Sequence, residues 1–375
     1  MQLNISIIQL ITICAVANGF VFGLLLLEKR ENRFANRFLS MSILCLCLTF
    51  TPYMLDPSIW HKYRWLAWMP FSVSYWIGPS FYFYVRTLTR PQERFKKIHL
   101  WHFSPILLNY LHSIFHAIFP GSKTPWHYFH FVAEILESAA VISILVYMVL
   151  SLKMIVRYQK MLLDHVSNTD SLDLGWIKNC IKIIMASFVM ILIFLAISTG
   201  ISGKELFGQW DTYRSVVLLG YACFLYWLSI HGYRQAQTLQ IKKADGLEAK
   251  ISNDESVTII TKLDMGMRGQ KLFRDPELSL SSLSKMMGIP ERNISEAING
   301  GLGKNFYQFV NEYRIGDVQE KLKDPLNHNL KIISLAYDSG FNSKATFNRI
   351  FKLYTGLTPR EYKTQKRAEN SLFET

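Results

Sequence analysis

Four histidines and a carboxylate interrupt an otherwise apolar stretch. His112 and His116 are four residues apart and share a helix face, while His127 and His130 open the next apolar run, with Glu134 and Glu137 behind them. Imidazole titrates near neutrality and ligates metals, and a carboxylate in hydrocarbon costs about 3 kcal/mol unless it faces a bundle interior or is protonated. His112, His116, His127, His130 and Glu134 are therefore a candidate ligand- or proton-sensing cluster. Interfacial His and Glu more often only hydrogen-bond to water or to neighbouring helices. His99 and His102, with Glu134, are the one set that would suit acid–base catalysis in a membrane enzyme or transporter. The two histidines and Glu134 fall toward opposite ends of neighbouring apolar runs, and no nucleophile motif, phosphate loop or metal pair accompanies them. Cys14, Cys45, Cys47, Cys180 and Cys223 all lie in apolar sequence, odd in number and without metal-ligand spacing, so they read as packing residues. No cofactor, catalytic residue or metal site is expected.

The elements that would position these residues follow from a change in composition. The mean hydropathy of +0.13 averages two unlike parts. Up to about Arg234 the chain is dominated by Leu, Ile, Val, Phe, Tyr and Trp, and from Gln235 charged and apolar residues alternate as in a soluble protein. The expected domains are an anchor or sensor region over 1–234, a charged connector over 235–256, a soluble domain over 257–367 and a tail over 368–375.

A helix crosses hydrocarbon with about 20 apolar residues. Seven stretches qualify: Ile5–Leu27, Phe38–Leu55, Leu66–Val85, Trp101–Phe119, Phe129–Leu152, Ile183–Ile201 and Ser215–Tyr233. The first is too long for the core of a cleaved signal sequence and reads as a retained span. Pro70, Gly78 and Pro79 mark kinks in the third. Lys and Arg concentrate in alternate loops, at positions 29–37, 86–97 and 153–178, which the positive-inside rule makes cytoplasmic. The N-terminus is then outside, and an odd number of spans delivers residue 235 to the cytoplasm of a bacterial inner membrane.

Beyond the connector, Val257, Ile260, Leu263, Met267 and Phe273 follow helical spacing. Two helix-turn-helix patterns come next. In the first, Leu280, Leu283, Met286 and Met287 form an apolar stripe, Gly288 turns the chain, and Pro290 opens a second helix through Ile294, Ala297 and Ile298. In the second, Ile332, Ile333, Leu335 and Ala336 lead to Gly340-Phe341, and Ser343 caps a helix carrying Phe347, Ile350 and Phe351. Phe306–Leu322 reads as an amphipathic helix between them, roughly 25 Å long at 1.5 Å per residue. Two such units on one face suit successive major-groove segments about 34 Å apart.

The runs Leu280-Ser-Ser-Leu-Ser-Lys-Met-Met-Gly288, Gly303-Lys-Asn-Phe-Tyr-Gln-Phe-Val-Asn-Glu-Tyr-Arg314, Ile333-Ser-Leu-Ala-Tyr-Asp-Ser-Gly-Phe341 and Thr346 to Tyr362 resemble the AraC/XylS-type DNA-binding domain in order and spacing. Gly78-Pro-Ser-Phe-Tyr-Phe-Tyr84 resembles the multi-span region of membrane-bound AraC-type regulators of the Bacteroidetes. The fold this implies is all-α, a seven-span bundle followed by a double helix-turn-helix domain. The resemblance implies base-reading positions at Arg292, Ser295 and Glu296 in the first recognition helix and at Lys344, Ala345, Thr346 and Arg349 in the second. Asn293 and Asn299 are secondary contacts, and Ser343, Lys352 and Lys363 are phosphate anchors.

Charge separates the two units. Residues 275–324 hold six Lys/Arg against eight Asp/Glu, and residues 326–367 hold eight against two. The second unit is expected to supply the electrostatic grip and the first to discriminate. The expected partners are promoter DNA, the lipid bilayer, an unidentified small ligand or membrane signal, and a second copy of the chain. Two other readings compete: a transporter or enzyme whose tail is a protein-docking module, and a factor released by proteolysis in the connector.

Overall fold

Uninterrupted apolar sequence leaves the backbone only helical hydrogen bonding once water is scarce, and helices are what the N-terminal part forms. The computed structural model describes residues 7–54, 73–118, 126–170, 172, 174–200, 210–235, 251–327 and 329–373. Among them every regular element is helical, with one isolated antiparallel bridge between Val166 and Ser279.

The chain divides into two compact units, one of residues 1–156 with 174–240, the other of 157–173 with 241–375. The first contains α1 (Ile7–Glu28), α2 (Arg33–Phe50), α3 (Ser74–Thr89), α4 (Ile106–Ile118), most of α5 (Trp126–His165), α6 (Gly175–Gly200) and α7 (Trp210–Arg234). Helix α2 packs against both α1 and α3, and α7 lies along α1. The buried Ser40 hydroxyl donates to the Gly23 carbonyl at 2.6 Å, Phe50 stacks on Tyr221, and Tyr75 donates its hydroxyl to the Leu136 carbonyl at 2.6 Å. The two hydrogen bonds satisfy the Ser40 and Tyr75 hydroxyls inside an apolar layer.

Among the described residues three stretches, Ile7–Glu28, Arg33–Phe50 and Ile135–His165, are long and apolar enough to cross a membrane. The seven-span expectation is met at that standard by these three. Ser74–Thr89 has 16 residues, short of the usual span. The fourth expected stretch begins instead with a tight 3₁₀ turn, Lys97–Phe103. Pro70 and the 236–250 part of the connector lie outside the described residues.

The second unit contains α8 (Asn253–Gln270), α9 (Leu280–Met287), α10 (Glu291–Glu296), α11 (Phe306–Lys323), α12 (Ile332–Tyr337), α13 (Lys344–Thr355) and α14 (Pro359–Phe373). Helix α8 starts four residues before the expected Val257 because the Ser252 side chain caps it, accepting from the Glu255 N–H. Val257 itself is exposed, and Ile259, Leu263 and Met267 carry the packing.

Two hydrophobic cores meet on α11. Phe306, Phe309 and Val310 join α8, α9 and α10, whereas Tyr307, Ile315, Val318 and Leu322 join α12, α13 and α14. Helix α11 lies between the two helix-turn-helix units as the sequence suggests, and it is the shared wall of both, buried on opposite sides.

Candidate nucleic-acid interface

Each helix-turn-helix is set by local capping. Ser279 and Ser282 exchange backbone-to-side-chain hydrogen bonds at the start of α9, and Gly288 ends that helix at φ 65°. Pro290 precedes α10, which continues into one wide turn, Ala297–Gly301. In the second unit Ser343 caps α13 by accepting from the Thr346 N–H, and Gly356 closes it at φ 76°. Apolar faces then orient both second helices: Ile294 on α10 and Ala297 and Ile298 in the wide turn that continues it are inward, as are Phe347, Ile350 and Phe351 on α13.

The residues left outward on α13 are Lys344, Ala345, Asn348, Arg349 and Lys352, with Leu353 and Tyr354 toward its C-terminal end. Beside them is a cavity of about 460 Å³ floored by Ile332, Ile333, Phe347 and Pro359 and rimmed by Lys344, Arg349, Lys352 and Arg360. Four cations around an open groove make a surface for phosphate oxygens. Asn348 and Arg360 belong to this surface and were missed in the sequence, although Arg360 stands in the first turn of α14, in the same motif as Tyr362. Arg349 also donates to the Tyr307 hydroxyl at 3.0 Å, and Thr346 donates to Asp170 at 2.6 Å.

The outward residues of α10 are tied down differently. Arg292 pairs with Glu296 at 3.9 Å, Glu296 accepts from the Ile251 N–H at 3.1 Å, Asn293 reaches Glu255 at 3.5 Å, and Asn299 donates to Ser295 at 3.2 Å. Glu296 thus holds the residues preceding α8. Ser343 is spent on its cap, and Lys363 donates to the Leu330 carbonyl at 3.3 Å.

The two units are locked by charges on α11. Asp317 accepts from Arg274 at 2.8 Å, from Lys321 at 2.7 Å and from the buried Ser339 hydroxyl at 2.6 Å, so one carboxylate joins the segment before α9 to the turn after α12. Burial alone would raise its pKa, but hydrogen bonds from Lys321, Ser339 and Arg274 outweigh it and leave the carboxyl below its ordinary value. Arg314, 1 % exposed, donates to the Phe273 carbonyl at 2.8 Å, the Asp275 carbonyl at 2.7 Å, the Ser167 carbonyl at 3.2 Å and the Ser167 hydroxyl at 2.9 Å. Burial draws the guanidinium down to about 10, with Asp275 opposing, so it stays charged at neutral pH.

Of the sensing set, His112 lies partly buried on α4. The side chains of His116, His127, His130 and Glu134 lie outside the described residues. His99 and His102 sit together at the Lys97–Phe103 turn, His99 against Arg86 at 2.9 Å and His102 against the Tyr147 hydroxyl at 2.7 Å.

Residues 283–365 match a family model described as a helix-turn-helix domain. An uncharacterized HTH-type transcriptional regulator of Staphylococcus aureus strain COL is 37% identical over 93 residues, 24% of this chain and 12% of that relative. Counterparts from strains MSSA476 and N315 match to the same extent. No solved structure matches significantly. The chain spans about an eighth of the length of these curated relatives, so the likeness concerns one domain. The family match begins inside α9 and ends inside α14, and therefore takes in both helix-turn-helix units.

Proposed function

We propose that the chain is a membrane-anchored, sequence-specific transcription regulator that reads promoter DNA with two helix-turn-helix units. The observation that carries this is the coincidence of the family match with the cationic face of α13. The relatives named above are transcriptional regulators rather than enzymes, which supports the reading over a transporter or enzyme with a docking tail.

In this reading Lys344, Ala345, Thr346 and Arg349 meet base edges from α13, and Arg292 and Ser295 meet them from α10. Lys352, Arg360 and Asn348 hold phosphates. Glu296 reads bases only if its bond to the Ile251 N–H opens. The apolar helices of the N-terminal part anchor the chain with its N-terminus outside and residue 235 onward in the cytoplasm, the orientation that the placement of Lys and Arg supports. A ligand or membrane signal then acts by favouring one arrangement or oligomeric state of the DNA-binding unit through differential affinity.

The test is direct. Full-length protein in lipid nanodiscs is mixed with genomic fragments, and bound DNA is sequenced. Enrichment of a shared motif upstream of genes supports the proposal, whereas uniform recovery of all fragments overturns sequence-specific reading. A reporter fused after Thr375 must be cytoplasmic. Its appearance outside the membrane would overturn the topology.

A further inference from the structure

Residues 157–173 comprise the C-terminal end of α5 and the segment after it and, in the seven-span reading, belong to the loop between the fifth and sixth spans, yet they group with the DNA-binding unit. Leu163 lies against the core of the second helix-turn-helix. Val166 bridges Ser279, and Ser167 donates both its N–H and its hydroxyl to the Leu278 carbonyl, at 3.1 and 2.6 Å. Ser167, 2 % exposed, in turn supplies two of the four acceptors around the Arg314 guanidinium. A buried guanidinium needs acceptors on its donors, so this segment is part of how the domain is built.

Two residues further on, the chain reverses in a turn closed by the Asp170 N–H donating to Asn168 Oδ1 at 3.1 Å. Thr346 Oγ1 then donates to Asp170 Oδ1 at 2.6 Å. Thr346 has one hydroxyl proton, and an ionised carboxylate can only accept, so the donor that would face a base or phosphate is already spent. The same carboxylate sets a negative charge on the rim of a face whose Lys344, Arg349 and Lys352 attract phosphates.

We propose that this loop is a built-in competitor of DNA: docked, Asp170 occupies Thr346 and withholds the second recognition helix from the major groove, and full DNA binding requires Asp170 to leave. The proposal rests on the reading of α13 as a base-contacting helix. Ser167 and Asn168 are buried anchors, whereas Asp170 is exposed, so the movable part is the short turn beyond Asn168. Tethering by that anchor keeps Asp170 at high local concentration against Thr346, which suits a plug that a small displacement at the loop switches.

The experiment uses full-length protein in nanodiscs and a fluorescent 30-base-pair duplex of mixed sequence. Asp170→Ala should tighten binding at least fivefold. Asp338→Ala, which removes an equal charge from an exposed position in the second unit, should change it less than twofold. In the wild type, saturating duplex should speed backbone hydrogen exchange at residues 169–172 while exchange at 166–168 stays slow. Equal effects of the two substitutions, or undiminished protection of 169–172 on DNA, would overturn the plug while leaving DNA binding intact. Absence of binding by both wild type and Asp170→Ala would instead overturn the DNA-reading function itself.

Discussion

Gly340 packs so closely on Phe273 that a β-carbon on the glycine would lie 2.4 Å from the Phe273 carbonyl oxygen. That oxygen is also an acceptor for Arg314, whose Nε would be 2.9 Å from the same β-carbon. With φ at 93°, Gly340 combines a left-handed backbone with an approach that no side chain permits. Gly340→Ala should therefore cost about 3 kcal/mol or more, the sum of strain and a displaced buried hydrogen bond. Urea unfolding of the C-terminal unit, followed by its tryptophan-free tyrosine signal, measures this directly, and a loss below about 1 kcal/mol would contradict it.

Arg314 yields a second expectation, because half of its acceptors come from a residue 147 positions earlier. A fragment of residues 251–375 keeps the Phe273 and Asp275 carbonyls and loses Ser167. It should fold with a lower midpoint than the unit does in the whole chain, and a peptide of residues 157–173 added in trans should raise that midpoint. Thermal melts with and without peptide decide the matter, with a peptide carrying Ser167→Ala as the control. Arg314→Met, which removes the charge and its acceptors' partner together, should destabilise the whole-chain unit by about 3 kcal/mol.

Much of the second unit was legible in sequence because its signals are local. Gly288, Pro290, Ser343 and the apolar periodicity of α9, α10, α12 and α13 each act within one turn of chain, and they fall where the reading set them except at Met286, which the stripe on α9 included and which is exposed. The two-sided burial of helix α11 was not legible because Phe306 and Tyr307, neighbours in sequence, enter different cores, a division no single periodicity displays. Asp170 and Ser167 could not be found at all. Nothing in a short polar loop between apolar stretches announces that it meets Thr346 and Arg314, more than 140 residues away. The capping of Ile251 by Glu296 was hidden for the same reason, and with it the difference between a base reader and a structural carboxylate.

Acid stability should depend on Asp317. Its folded-state pKa is depressed, so the stabilisation is fully present above the unfolded value of about 4 and is lost as pH falls through the lower folded value. Asp317→Asn should lower the melting temperature of the C-terminal unit near pH 7, and the gap between variant and wild type should close as pH drops below about 4. A gap that stayed constant down to pH 3 would mean that the carboxylate's charge contributes nothing to its bridge between Arg274, Lys321 and Ser339.

The cationic rim makes separable predictions for grip and reading. Lys352 and Arg360 border the groove without lying among the expected base contacts, so Lys352→Ala should weaken binding to all duplexes alike and reduce the slope of log K against log salt by about 0.9. Arg349 lies on the exposed face of α13 and on the groove rim, and donates to the Tyr307 hydroxyl at 3.0 Å. Arg349→Ala should cost about 1–3 kcal/mol on the selected site and relax preference at one position. Tyr307→Phe removes the Arg349 partner while leaving the ring in the core, so it separates the two roles. If Arg349 reads bases, the guanidinium released by Tyr307→Phe keeps affinity and loses part of its discrimination. If Arg349 only holds phosphate, Tyr307→Phe leaves discrimination unchanged, and Arg349→Ala weakens every sequence equally.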